Sequence, residues 1–115
     1  MARTLTLLPL IAFASMFLLA ASDRETAIMD EVEDAVRLPQ AAQPLDSYVR
    51  KYTYLGDGTV IGIYVLASMG VDKPGKTWVE QKDLPLLADG GCSVVTVFYD
   101  PKTRRAPEAR CNGRG

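Results

Sequence analysis

The chain contains no histidine and only two cysteines. Histidine is the side chain most used as a general base and metal ligand near neutral pH. Its absence excludes a Ser-His-Asp triad, a Cys-His pair and the usual histidine zinc sites. Aromatic residues are sparse at 8%, and the formal net charge is only -1. No global excess of positive charge therefore draws the chain to nucleic acid or anionic lipid. The Gly90-Gly91 pair lacks the Gly-x-x-x-x-Gly-Lys spacing of a phosphate loop and precedes a strand-like run rather than a helix, so a nucleotide cradle is excluded there.

What is present is ordinary: 115 residues, 48% apolar and 23% charged, enough for one globular domain. The first 22 residues stand apart. Arg3 gives a positive start, no charge occurs from Thr4 to Ser22, and Ala20, Ala21 and Ser22 close the apolar run with small residues. This is the pattern of a signal peptide over 1–22, leaving 23–115 as a single α+β domain in the periplasm or secreted, with no membrane association after cleavage. The alternative is an uncleaved anchor, because the uncharged run from 4 to 22 reaches the lower limit of a spanning helix. In that oxidising compartment Cys92 and Cys111 are expected to pair with each other.

Residues 24–38 carry Ile28, Val32, Ala35 and Val36 on one helical face and Asp30, Glu31, Glu33 and Asp34 on much of the other, with Pro39 as the stop. Residues 47–55 and 59–66 are rich in β-branched and aromatic side chains around Gly56-Asp57-Gly58, which predicts a hairpin. Residues 68–77 read as a loop and Trp78-Val79 as a short strand; Cys92–Tyr99 is the clearest strand, with 104–111 returning beside it. The expected fold is one N-terminal helix packed on a four- to five-stranded antiparallel meander, in two layers. A four-residue loop over Asp100–Thr103 predicts Cys92 opposite Cys111 and Thr96 opposite Pro107. Proline's missing N–H then makes 104–111 an edge strand.

Charge is uneven along the chain. Residues 23–34 carry six acids and one arginine, whereas 102–115 carry five basic residues and Glu108. These segments attract each other, or else the arginines form a patch for an anionic envelope component or an acidic partner. Tyr48, Tyr52 and Tyr54 share one strand face, which is either a half-buried sheet surface or, with Arg104 and Arg110, an interaction face. The acid pairs Asp57 with Asp72 and Asp83 with Asp89 lie in loops without the spacing of a calcium site. No catalytic, cofactor or metal residue is assigned, because the cysteines are taken up by each other and no catalytic motif is present.

The segments DGGCSVVTVFYDPKT (89–103), ARCNG (109–113) and YTYLGDGTVIGIYV (52–65) resemble small exported bacterial proteins, alphaproteobacterial ones in particular, of uncharacterised function. The resemblance implies export and no activity. The expectation is an exported, non-enzymatic binding module that meets a protein or an envelope component. The alternatives are an inhibitor of a secreted enzyme and a small hydrolase using loop carboxylates.

Overall fold

An apolar stripe at helical period needs a surface to cover it, and alternating strands supply one. In the computed structural model, which describes residues 23–70 and 72–113, helix α1 spans 23–35. The signal peptide expected over 1–22 lies outside the described residues. Ile28, Met29 and Val32 are buried against the sheet, with Val32 at 0% exposure. Ala35, expected in the stripe, is exposed, and Met29 takes its share of the contact. The last helical bond runs from the Val36 N–H to the Val32 carbonyl, so the helix stops short of 38. Val36 and Leu38 still pack on the core as the chain extends toward Pro39, the conformation a residue before proline prefers.

Five strands follow: β1 (Tyr48–Tyr54), β2 (Val60–Leu66), β3 (Gly75–Trp78), β4 (Gly91–Tyr99) and β5 (Glu108–Asn112). They form one sheet in the order β3-β1-β2-β4-β5. The architecture is α+β, but two expectations are corrected. The helix occupies 23–35, inside the chain rather than at its N-terminus. The sheet is mixed and not a meander, because β3 returns to the outer side of β1 and pairs with it in parallel, Val49 with Gly75 through Tyr52 with Trp78. The Val79 N–H extends that pairing to the Tyr52 carbonyl at 2.8 Å. The chain then passes back over the face away from α1. There Val79 and Leu84 cover Ile61, Ile63, Val65 and Val94 as a second, smaller core. Both faces of β2 are thus covered, which accounts for its nearly unbroken apolar sequence.

The β1–β2 hairpin forms as its sequence predicts, with Tyr54 opposite Val60 and Tyr52 opposite Gly62. Gly62 is required there: a Cβ would stand 2.8 Å from Tyr52 Cε1 and 3.0 Å from Tyr64 Cε1. At the other end of the sheet the register differs from expectation. Thr96 lies opposite Arg110, and Phe98 opposite Glu108. The β4–β5 connection therefore covers 100–107, not the four residues 100–103, and β5 starts at Glu108. Pro107 is buried in that connection rather than paired. The Asp100 carboxylate accepts the Lys102 N–H, and the Asp100 carbonyl accepts the Arg104 N–H with Arg104 at φ 53°, so the turn closes one residue later than a type I turn.

The expected register survives only at Gly91 opposite Asn112. Between that pair and Val95–Cys111, β4 inserts residues 92–94 as a bulge. Cys92 sits in the bulge and bonds to Cys111, with Cα atoms 4.5 Å apart. The disulfide closes a chain separation of 19 residues, and such a loop contributes on the order of 3 kcal/mol in the chain-entropy account. β5 is an edge strand, but it covers 108–112 rather than the expected 104–111, and Pro107, on which that expectation rested, lies outside it.

Val32 is the point at which helix docking can be tested. Val32→Asp would bury an unpaired charge and should remove about 3 kcal/mol or more of stability, read as a large drop in the thermal midpoint. An unchanged midpoint would show that α1 is not packed there.

Candidate functional site

Period two along β1 sends Tyr48, Arg50, Tyr52 and Tyr54 to the same face, and that face lies under α1. Tyr48 and Tyr52 are fully buried, and Arg50 retains 7% exposure. The expected interaction face of Tyr48, Tyr52 and Tyr54 is therefore covered. Tyr48, Tyr52 and, from β2, Tyr64 are fully buried there, and with their large apolar rings they bury three hydroxyls that need partners. Tyr54 is half-buried and packs edge-on against Trp78, with ring centroids 4.7 Å apart.

Glu33 on α1 and Arg50 on β1 supply partners for that layer. Arg50 Nε donates to Glu33 Oε2 at 2.8 Å and Nη2 to Oε1 at 3.1 Å, a bidentate pair. Arg50 Nη1 donates to the carbonyls of Leu45 and Tyr48, each at 3.0 Å. The Tyr52 hydroxyl donates to Glu33 Oε2 at 2.8 Å. Its one proton is thereby used, so in the contact between Tyr52 and Tyr64 the Tyr64 hydroxyl is the donor. Tyr48 takes a different partner set: its oxygen accepts the Gln43 N–H at 3.0 Å, and its proton goes to the Cys92 carbonyl at 2.6 Å. Among the described residues no buried side-chain polar atom lacks a partner.

The electrostatics follow from this geometry. Burial opposes the Arg50 charge, but the hydrogen bonds and charge of Glu33 outweigh it and hold the guanidinium above its ordinary pKa. Burial pushes Tyr52 far above the ordinary phenol value, with the Tyr64 hydroxyl and Glu33 adding to the shift. Tyr64 is raised by burial and by the charge of Glu33, against the opposing pull of its bond with Tyr52 and of Arg50. Such phenols stay protonated at neutral pH. The cluster is a closed polar core that joins helix to sheet, and none of its four members lines the surface pockets described below.

The arginines of the expected face go to different places. Arg104 is exposed in the β4–β5 connection, with Nε 3.7 Å from Glu31 on α1. Arg110 projects from β5 on the face away from α1, 3.6 Å from Glu108. The structure thus does not bring Arg104, Arg110 and the tyrosines together. The acidic helix and the basic C-terminal segment do meet at Glu31–Arg104, and Lys76 of β3 adds a contact to Asp30. Pairs this exposed contribute at most about 1 kcal/mol each.

The loop acids have local roles. Asp57 accepts the Thr59 N–H at 2.9 Å within the hairpin turn, and that bond holds its carboxyl below the usual value. Asp72 pairs with Lys51 at 3.4 Å. Among the described residues no group of three or more His, Cys, Asp or Glu side chains is placed to hold a metal ion.

The open surface features lie elsewhere. On the face away from α1, Val49, Lys51, Val65, Pro85 and Leu87 contribute to a mostly apolar groove of about 170 Å³. Exposed Met69, Leu86 and Leu87 belong to the two connections on either side of it, and Leu86 is 88% exposed. A second pocket of about 260 Å³ lies beside the 100–107 connection and includes Thr59, Phe98 and Arg105. A third, of about 300 Å³, lies at the bulge beside Cys92 and Gln43. Sequence reasoning missed Glu33, Arg50 and Tyr64 as one cluster. The available signal was a charged residue midway along the apolar face of β1. It also missed the groove, whose walls are irregular connections with no periodicity to read.

Two measurements test the closed core. Arg50→Met and Glu33→Leu should each cost about 3–5 kcal/mol by leaving the other charge buried and unpaired, and the double variant should lose less than the sum. Tyr52 and Tyr64 hold their protons more tightly folded than unfolded. Stability from this source is therefore complete below the unfolded phenol pKa of 10.0 and is lost as pH rises above it. Urea midpoints should fall with alkaline pH, and Tyr64→Phe should flatten the fall.

Comparison with protein-family models, curated proteins and solved structures finds no match to this chain.

Proposed function

We propose that the protein is an exported, non-enzymatic interaction module, periplasmic or secreted, that holds a protein partner through the groove on the sheet face away from α1. One observation carries this reading: an apolar groove is lined by Val49, Val65, Pro85 and Leu87, and Leu86, between two of those residues in the chain, is 88% exposed. Clustered, exposed large apolar residues cost solubility and mark contact surfaces more often than isolated ones do. The Lys51–Asp72 pair at the groove supplies polar groups of both signs for orienting a partner.

Export is supported by the signal-like 1–22 segment and by the Cys92–Cys111 bond, which oxidising compartments favour. No helix of the described residues is long and apolar enough to cross a membrane. The hydrolase alternative is less well supported, because Asp57 and Asp72 serve separate local contacts rather than facing one another across a cleft.

A photo-reactive amino acid at position 86, compared with one at Lys102, tests the reading in intact cells. A discrete adduct is expected from position 86 and not from 102, and Val65→Asp should reduce it at least tenfold. Equal labelling from both positions would count against the groove.

A further inference from the structure

β5 ends the sheet, so one side of its backbone has no strand partner. Natural sheets blunt such edges with charged side chains, prolines, bulges or a cover, because an open edge templates pairing with another chain. β5 carries one charge of each sign, Glu108 and Arg110, on the face away from α1, with side chains 70% and 77% exposed. Ala109 between them points to the other face and packs against the main core. In the single chain the two charges meet only each other, at 3.6 Å.

We propose that two copies of this chain associate through antiparallel pairing of their β5 edges, about a two-fold axis at Ala109. Self-pairing limits the register. A two-fold axis perpendicular to a sheet sets each residue opposite one on the same face, so the axis must pass through a residue position, not between two. An axis at Glu108 sets carboxylate against carboxylate, and one at Arg110 sets guanidinium against guanidinium. An axis at Ala109 sets Glu108 of each copy opposite Arg110 of the other, two opposite-charge cross-strand pairs. The Ala109 side chains then face each other on the helix face. Phe98, 39% exposed and opposite Glu108 in the β4–β5 register, extends the row from inside each copy. Pro107 brings no N–H to the rung opposite Cys111, which keeps the shared ladder short. A contact this small belongs to the weak, concentration-dependent class.

Sedimentation equilibrium of the protein as isolated from cells, from about 10 µM to about 1 mM, reads this directly, the range being set by that class of contact. Wild type should pass from monomer to dimer. Glu108→Arg and Arg110→Glu should each weaken the dimer at least tenfold, because each single change faces like charges across the axis twice. An equimolar mixture of those two variants should recover a dimer, since every cross-axis pair is again of opposite sign. Recovery on mixing cannot come from a misfolded variant, and unchanged circular dichroism of each alone checks the fold. The proposal is overturned by a wild type that stays monomeric at the top of the range, by single variants that dimerise as wild type does, or by a mixture that stays monomeric.

Discussion

Every layer of this protein depends on how three fully buried phenols, Tyr48, Tyr52 and Tyr64, are housed beneath one short helix. Rings of that size suit the space between helix and sheet, but each brings a hydroxyl that would cost roughly 1–3 kcal/mol if buried without a partner. Glu33 and Arg50 resolve this for Tyr52 and Tyr64. The carboxylate receives three donors, and the guanidinium gives its remaining bonds to the carbonyls of Leu45 and Tyr48. A buried ion pair is weak evidence for net stability, because desolvation offsets much of the attraction. Its consequence here is specificity: the pair admits one placement of α1 over β1, the one that brings Glu33 within reach of both Arg50 and Tyr52.

Tyr48 links this core to the far edge of the sheet. Its hydroxyl bridges the Gln43 N–H of the helix-to-sheet connection and the Cys92 carbonyl in the β4 bulge. A bulge leaves backbone groups out of the ladder, and here one of them is satisfied from β1, across the intervening β2. The same bulge gives Cys92 the position from which it reaches Cys111. The disulfide, the bulge and the tyrosine layer are thus one connected arrangement, and β5 is tied to the sheet covalently at one end and by Thr96–Asn112 and Leu87–Asn112 bonds beside it.

What the sequence disclosed was periodic. The helix stripe at Ile28 and Val32, the hairpin around Gly56–Gly58 and the cysteine pair could all be read because each is set by local spacing or by elimination. β5 does lie at the edge, but not for the reason its proline suggested. The parallel β3 could not. Four residues, Gly75–Trp78, inside a segment rich in glycine, proline and lysine carry no strong strand pattern, and their place beside β1 is decided by contacts distant in sequence. The β4–β5 register failed for a related reason. Turn chemistry at Asp100-Pro101 fixed a start but not a length, and burying Pro107 favoured a longer connection with a compensating bulge. The tyrosines were assigned to one face correctly, but the choice between an open and a covered face needed the acid on the helix.

The two faces of the sheet therefore differ in kind. Under α1 every buried polar side-chain atom among the described residues is matched, and Tyr52 and Tyr64 hold their protons well above neutral pH. A site saturated in this way has its hydrogen-bonding groups already engaged with one another. The opposite face has a thinner cover, drawn from the irregular connections around β3, and leaves Met69, Leu86 and Leu87 exposed. Those connections are also the segments least constrained by periodic packing, so they can vary in sequence at small cost to the core. A scaffold that fixes one face with a buried ion pair and leaves loops to shape the other would separate stability from the recognition proposed above. That separation is the physical reason to look for a partner on the groove face and along the β5 edge rather than among the tyrosines.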